Sequence, residues 1–174
     1  MLSATLLAAP PAWATSGAVA TEHRAAAEAG AAILAAGGSA ADAAVAAAAG
    51  HKPMARLASY AIAGVPNDVM GEGPIPATKL ALKKGGFTLD QMDVIESNEA
   101  FAAQAIAVSR GLELDPKKTN PNGGAIALGH PIGCSGAFLA TKAVYELHRS
   151  GGRYALVTMC IGGGQGIAAV FERL

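Results

Sequence analysis

Residues 153–174, read as "RYALVTMC", "IGGGQG" and "IAAVFERL", constrain the fold most strongly. Two apolar, β-compatible runs flank a glycine turn, which is the pattern of a hairpin and commits this end of the chain to a sheet. Upstream the pattern alternates. Ala55 to Ala63 is a mostly apolar strand run ending at Gly64, and Pro76 to Lys84 is a short helix stopped by Gly85-Gly86. Val94 to Glu96 is a short strand. Glu99 to Arg110 is a helix with an apolar stripe at Phe101, Ala105 and Val108, ended by Gly111. Ser135 to Ser150 is another helix, with Ala137, Ala140, Val144 and Leu147 on one face and Lys142, Glu146 and Arg149 elsewhere. The class from residue 52 onward is therefore α/β: a sheet packed by helices.

Before residue 52 the composition is different. Residues 18–50 are dominated by alanine, whereas 52–174 carry a normal mix of aliphatic, aromatic and charged side chains. The expected organisation is an alanine-rich helical segment over 1–51 and an α/β domain over 52–174. In the first part, Glu22 to Ala36 and Ser39 to Ala49 read as two helices broken by Gly37-Gly38, with Ser39 as cap and Asp42 at N3. Alanine faces bury little area, so such helices need a partner.

Thirteen basic side chains balance thirteen acidic ones, which leaves no electrostatic footprint for nucleic acid or an anionic membrane. Two cysteines, Cys134 and Cys160, sit beside glycine-rich turns and not in metal-ligand spacing, so a reduced, cytoplasmic setting is expected. The start "MLSATLLAAPPAWA" ends in a small-x-small cleavage pattern at Ala12-Trp13-Ala14 but has no Lys or Arg before its apolar run. No later window has membrane-spanning character.

Three residues able to do chemistry fall where an element meets a loop: Asn98 after a strand, His130 in a glycine-rich segment before a helix, and Cys160 at a strand end. Each has an ordinary alternative. His130 alone reads as a satisfied buried histidine, Cys160 as an inert core thiol, and Asn98 as the cap of the helix at Glu99. The surrounding glycines shift the balance. "CIGGGQG" lets backbone approach a ligand and aims successive N–H groups into a concavity suited to an oxygen that gains negative charge. "GHPIG" leaves room beside the imidazole. Pyrophosphate binding would be the competing use, but neither GxGxxG after a first strand nor GxxxxGK[ST] is present.

The blocks "SNEAFAAQ" (97–104), "NGGAIALGHPIGCSGA" (122–137) and "CIGGGQG" (160–166), in that order, resemble the active-site blocks of the C-terminal half of a thiolase, an acetyl-CoA C-acyltransferase. "VMGEGPIPA" (69–77) resembles a fourth block. The resemblance covers 52–174. It implies that Cys160 is the cysteine that removes or returns the α-proton of acetyl-CoA, and that surrounding hydrogen bonds and helix N-termini lower its pKa towards neutrality. It implies that His130 activates a nucleophilic thiol and stabilises a thioester oxygen, and that Asn98 positions a water beside it. The Gly162 backbone N–H would serve a second oxyanion hole, and Met70 and Phe101 would line the acyl pocket. CoA thioester is then a substrate; no bound cofactor and no metal are implied. The family's architecture also implies two halves, each contributing a sheet and one central helix, with the Ser135 helix central here.

The same resemblance places the acyl-accepting cysteine in the other half, and Cys134 does not take its role. Residues 17–49, "GAVATEHRAAAEAGAAILAAGGSAADAAVAAAA", are similar to the opening of gamma-glutamyltransferase, without that family's autoprocessing threonine block. Two functions follow as expectations. One is a thiolase-class acyltransferase acting on acetyl-CoA and 3-ketoacyl-CoA when another chain supplies the missing half. The other is a non-catalytic thiolase remnant that binds CoA thioesters or thiolase subunits. Homo-oligomers or a thiolase N-terminal half are the expected protein partners, because one face of the Ser135 helix would otherwise stay bare.

Overall fold

The β-runs and glycine stops seen in the sequence close into one sheet. The structure is a computed structural model, and it describes residues 52–174. The helices expected over Glu22–Ala36 and Ser39–Ala49, the cleavage pattern and the second resemblance lie outside these residues. Strands β1 (Ala55–Gly64), β2 (Val94–Ser97), β3 (Tyr154–Ile161) and β4 (Gln165–Arg173) form a mixed sheet in the order β1-β4-β3-β2. β3 and β4 are the expected hairpin, antiparallel from Tyr154↔Glu172 to Ile161↔Gln165. β2 runs parallel to β3, with Val94↔Ala155 and Ser97↔Thr158 in register. Residues Leu57–Arg173 form one compact unit.

Helices α1 (Pro74–Gly85), α2 (Ala102–Leu112), the short α3 (Ala125–Leu128) and α4 (Ser135–Ser150) connect these strands, with 3-10 segments at Asn67–Glu72, kinked at Val69, and Leu89–Gln91. Ala77, Ala81 and Leu82 of α1 and Val108 and Leu112 of α2 bury one side of the sheet with Ile95, Leu156, Ala168 and Val170. Successive strand residues alternate between faces, and α4 takes the other one. Thr158 accepts a hydrogen bond from Thr78 of α1 at 3.1 Å, whereas Met159, next along, lies beside Gly136 of α4. Two glycines permit the α1–hairpin junction. A Cβ on Gly73 would sit 2.6 Å from the Gln165 carbonyl oxygen, and one on Gly166 would strike the Gly73 backbone.

The structure moves several of these expectations. α1 starts at Pro74, with proline in its first turn, where a missing N–H costs no hydrogen bond. It stops as expected, at Gly86 with φ 70°. α2 starts at Ala102, not Glu99, because the Asn98 N–H still bonds strand β3 at Thr158 O (2.9 Å) and the Glu99 carboxylate is committed to Asn120 and Ile126. Asn98 therefore caps no helix. The buried stripe of α2 is Gln104, Val108 and Leu112, while Phe101 is 65% exposed. Gly111 does not end α2: a Cβ there would fall 2.5 Å from Ile75 Cδ1, so its role is close packing on α1, and Glu113 at φ 55° forms the cap.

The buried face of α4 is also rotated from the expected one. Ser135, Leu139, Ala143, Glu146 and Leu147 are buried; Ala137 is exposed and Ala140 and Val144 are intermediate. Polar pairing decides this, since Ser135 meets His130, and Glu146 accepts from Asn122 (2.8 Å) and Arg149 (2.7 Å). The outward face carries Phe138 and Tyr145, the latter 62% exposed. No helix among the described residues is long and apolar enough to cross a membrane.

Candidate active site

The C-terminal ends of parallel strands leave backbone groups and side chains facing a crevice, and in open α/β sheets that is where sites form. Here that edge is the end of β2 and β3. The loop after β2 is held on both sides. On one, Asn98 N–H reaches Thr158 O. On the other, Asn120 mimics a neighbouring strand: its side chain accepts from Ser97 N (3.0 Å) and donates to Ser97 O (2.9 Å) and Glu99 Oε1 (3.1 Å). Asn120 adopts φ 47°, a left-handed conformation that asparagine tolerates better than most residues. Glu99 Oε2 then accepts from Ile126 N (2.9 Å), which anchors α3 and the segment leading to His130.

His130 is partly buried between two polar partners. Asn98 Nδ2 stands 3.4 Å from His130 Nε2, and Ser135 Oγ stands 2.6 Å from Nδ1. Ser135 Oγ also lies 3.0 Å from Pro131 O, and a hydroxyl that donates to that carbonyl accepts from the ring. In that arrangement Nδ1 carries the ring proton and Nε2 keeps a lone pair turned to the Asn98 amide. That is the tautomer required of an imidazole that takes a proton at Nε2. Proline and glycine set the local path: Gly129 at φ 98° precedes the ring, and the Pro131 carbonyl also accepts from the backbone N–H of Cys134 and Ser135 at the start of α4.

Cys160 stands at the same edge, opposite Gly166 on the hairpin ladder and directly after Met159. Among the described residues no hydrogen bond joins it to Asn98 or His130. The structure thus brings two of the three candidate side chains into contact and sets the third on the next strand. Burial pushes the Cys160 thiol up, the reverse of the lowering expected from its surroundings; desolvation outweighs the help of its own backbone hydrogen bond.

Gly162 lies on the hairpin turn with open space beside it, and Gly163 and Gly164 adopt φ 80° and 82°. This turn is tied to the end of β1, where Val65 N–H donates to Gly164 O at 2.7 Å. Met70 and Phe101 ride on elements that touch, because Gln104 Nε2 of α2 donates to Gly71 O at 3.0 Å. A cleft of about 440 Å³ opens beside α2, with Glu99, Ile106, Arg110, Asn120 and Ile126 on its wall. It shares Glu99 and Asn120 with the network that holds the loop after β2 but includes none of Asn98, His130 or Cys160. Sequence reasoning missed Ser135, Glu99 and Asn120 as site residues. Asn120, in "NPNGG", was the one with a signal, an asparagine amid turn formers.

The family model described as "Thiolase, C-terminal domain" matches residues 51–173. Beta-ketothiolase BktB of Cupriavidus necator is 64% identical over 125 residues, which is 72% of this chain and 32% of that protein. The 3-oxoadipyl-CoA/3-oxo-5,6-dehydrosuberyl-CoA thiolase of Escherichia coli is 59% identical over 127 residues, with the same two coverages. Among solved structures, human mitochondrial 3-ketoacyl-CoA thiolase superposes with a TM-score of 0.71 at 50% identity, over 75% of this chain and 33% of that one. The chain spans about a third of the length of these relatives.

Proposed function

The chain belongs to the thiolase family, and from that membership we propose that it forms the Asn98–His130–Cys160 portion of an acyltransferase that acts on acetyl-CoA and 3-ketoacyl-CoA. The observation that carries this reading is the His130 ring, held by Ser135 on one nitrogen and facing Asn98 with the other. The family's acyl-accepting cysteine comes from a second half, which a partner chain would supply. The exposed Phe138 and Tyr145 of α4, and Ile132 before it, support contact with such a partner or a second copy. A reducing, cytoplasmic setting accords with two unpaired cysteines, one of them exposed.

Thioester α-carbons are weak acids, so a carbanion near neutral pH needs both a base and stabilisation of the enolate oxygen. In the condensation direction Cys160, once it has lost its thiol proton, takes the α-proton of acetyl-CoA as the thiolate, and the carbon attacks the carbonyl of the acyl group on the partner's cysteine, whose thiolate leaves. His130 Nε2 deprotonates that cysteine's thiol before acylation and, as the imidazolium, returns a proton to the thiolate when it departs. In thiolysis the same steps reverse, and Cys160 returns a proton to the departing carbon. Its raised pKa suits this second direction, because a thiol is the proton donor. Asn98 with its water and the Gly162 N–H would hold the two carbonyl oxygens, each donor being worth about 3–4 kcal/mol in the transition state. General acid–base transfer contributes about 10²–10⁴-fold. Met70 and Phe101 would bound the acyl group.

The test is acetoacetyl-CoA thiolysis by the full chain alone and mixed with a separately produced N-terminal thiolase half. Activity is expected in the mixture only, and lost with His130→Ala. Silence in both rejects the reading. The second reading, a non-catalytic chain that binds CoA thioesters or thiolase subunits, is favoured by one observation: of its two cysteines, one is Cys160 and the other caps a helix. It predicts CoA binding by calorimetry without turnover in either mixture.

A further inference from the structure

A lysine in the middle of a helix that faces solvent on one side is ordinarily a solvated charge, and Lys142 was placed off the apolar face of α4 by its sequence. The fold puts it inside. Its side chain is 12% exposed, and its ammonium lies 2.8 Å from Oε2 of Glu96, a carboxylate with no exposure at all. The same ammonium donates to the Gly123 carbonyl at 2.5 Å. Glu96 Oε1 has no hydrogen-bond partner, so the stabilisation of this buried charge falls on Lys142. Burial holds the Glu96 carboxyl above its ordinary range, and the hydrogen bond and charge of Lys142 offset only part of that rise.

The three groups joined here belong to the three segments that carry the site. Glu96 is two residues before Asn98 on β2. Gly123 opens the segment through α3 to His130. Lys142 is two helical turns beyond Ser135, which holds the imidazole. We infer that Lys142 is a positioning residue: by linking Glu96 to the Gly123 carbonyl it fixes the spacing of β2, the α3 segment and α4 that brings Asn98 to His130. The Asn98–His130 separation of 3.4 Å is at the long limit of a hydrogen bond, so a small displacement of either segment breaks it. The meaning for acyl transfer rests on the function proposed above. The geometry does not, and it can be read without turnover.

The experiment is NMR of the full chain with ¹⁵N-labelled histidine, together with amide exchange over 123–130, for the parent, Lys142→Met, and the double variant Glu96→Gln/Lys142→Met. Lys142→Met is expected to shift the His130 Nε2 ¹⁵N signal as the Asn98 amide moves away from it, with Nδ1 still paired to Ser135, and to speed amide exchange in the 123–130 segment on the order of tenfold, as loss of a charge-assisted hydrogen bond allows. The double variant removes the stranded carboxylate and recovers the melting temperature, but the His130 signals stay altered because the tie to Gly123 O is still missing. If Lys142→Met does not fold, the double variant alone decides. Parent-like His130 signals in either folded variant overturn the inference, leaving the pair a contributor to stability only. Absence of thiolysis bears on the proposed function and leaves this result untouched.

Discussion

Ser135→Ala tests the tautomer argument directly. Ser135 Oγ makes two contacts, at 2.6 Å to His130 Nδ1 and 3.0 Å to Pro131 O, and the residue is 2% exposed. Alanine removes both, with unequal consequences. The Pro131 carbonyl keeps the Cys134 and Ser135 backbone N–H groups at 2.8 and 2.9 Å, so no acceptor is orphaned. The imidazole is only partly buried, and water can reach Nδ1–H. The net loss is therefore that of one ordinary hydrogen bond, about 1 kcal/mol, or roughly 4 °C in melting temperature for a domain of this size. The chemical loss is larger, because nothing then selects the tautomer that leaves Nε2 unprotonated. Long-range ¹H–¹⁵N correlation should show the parent ring protonated at Nδ1 and the variant as a mixture, with thiolysis in the reconstituted mixture falling about 10- to 100-fold, as loss of a ligand-orienting hydrogen bond does elsewhere. A parent ring already protonated at Nε2, or a variant ring unchanged, refutes the reasoning.

Other consequences can be checked singly. Gly166→Ala drives a methyl into the Gly73–Pro74 backbone, which cannot yield as a side chain would; a loss of at least ~2 kcal/mol in denaturant unfolding is expected, and an unchanged midpoint contradicts the close approach. Because burial raises the Cys160 thiol, its iodoacetamide labelling, followed by peptide mass spectrometry, should stay slow at pH 8 and rise only above the ordinary thiol range. Labelling at neutral pH as fast as that of a free thiol would falsify the shielding. The hydrogen bond from Arg149 holds the Glu146 carboxyl below its ordinary range, with Asn122 adding to it. A folded pKa below the unfolded one gives stability that is present above the ordinary carboxylate range and lost as pH falls from that range through the lower folded value; melts from about pH 6 to about pH 2 should therefore drop less steeply in Glu146→Gln, and identical slopes would remove Glu146 from the acid response.

How much was legible in the sequence depended on whether the signal was local. The hairpin, β1 and the glycine stop of α1 were readable because strand alternation, turn glycines and helix propensity are properties of neighbouring residues. The positions of Asn98, His130 and Cys160 at element ends were readable because strand runs and glycine turns next to them mark those ends. The start of α2 and the buried face of α4 were not. Partners more than 20 residues away weighed on both: Thr158 and Asn120 hold Asn98 and Glu99 out of the helix, and Asn122 and Glu96 draw Glu146 and Lys142 inward.

By itself, then, the sequence determined the α/β class, the strand-turn-strand ending and the position of Asn98, His130 and Cys160 at the ends of elements, since each follows from local backbone preference. Only the tertiary structure decided that His130 is held between Ser135 and Asn98, that Lys142 and Glu96 are buried together, and that the Cys160 thiol is raised. Desolvation and hydrogen-bond partnership depend on which distant segments meet, and no spacing along the chain encodes a dielectric environment.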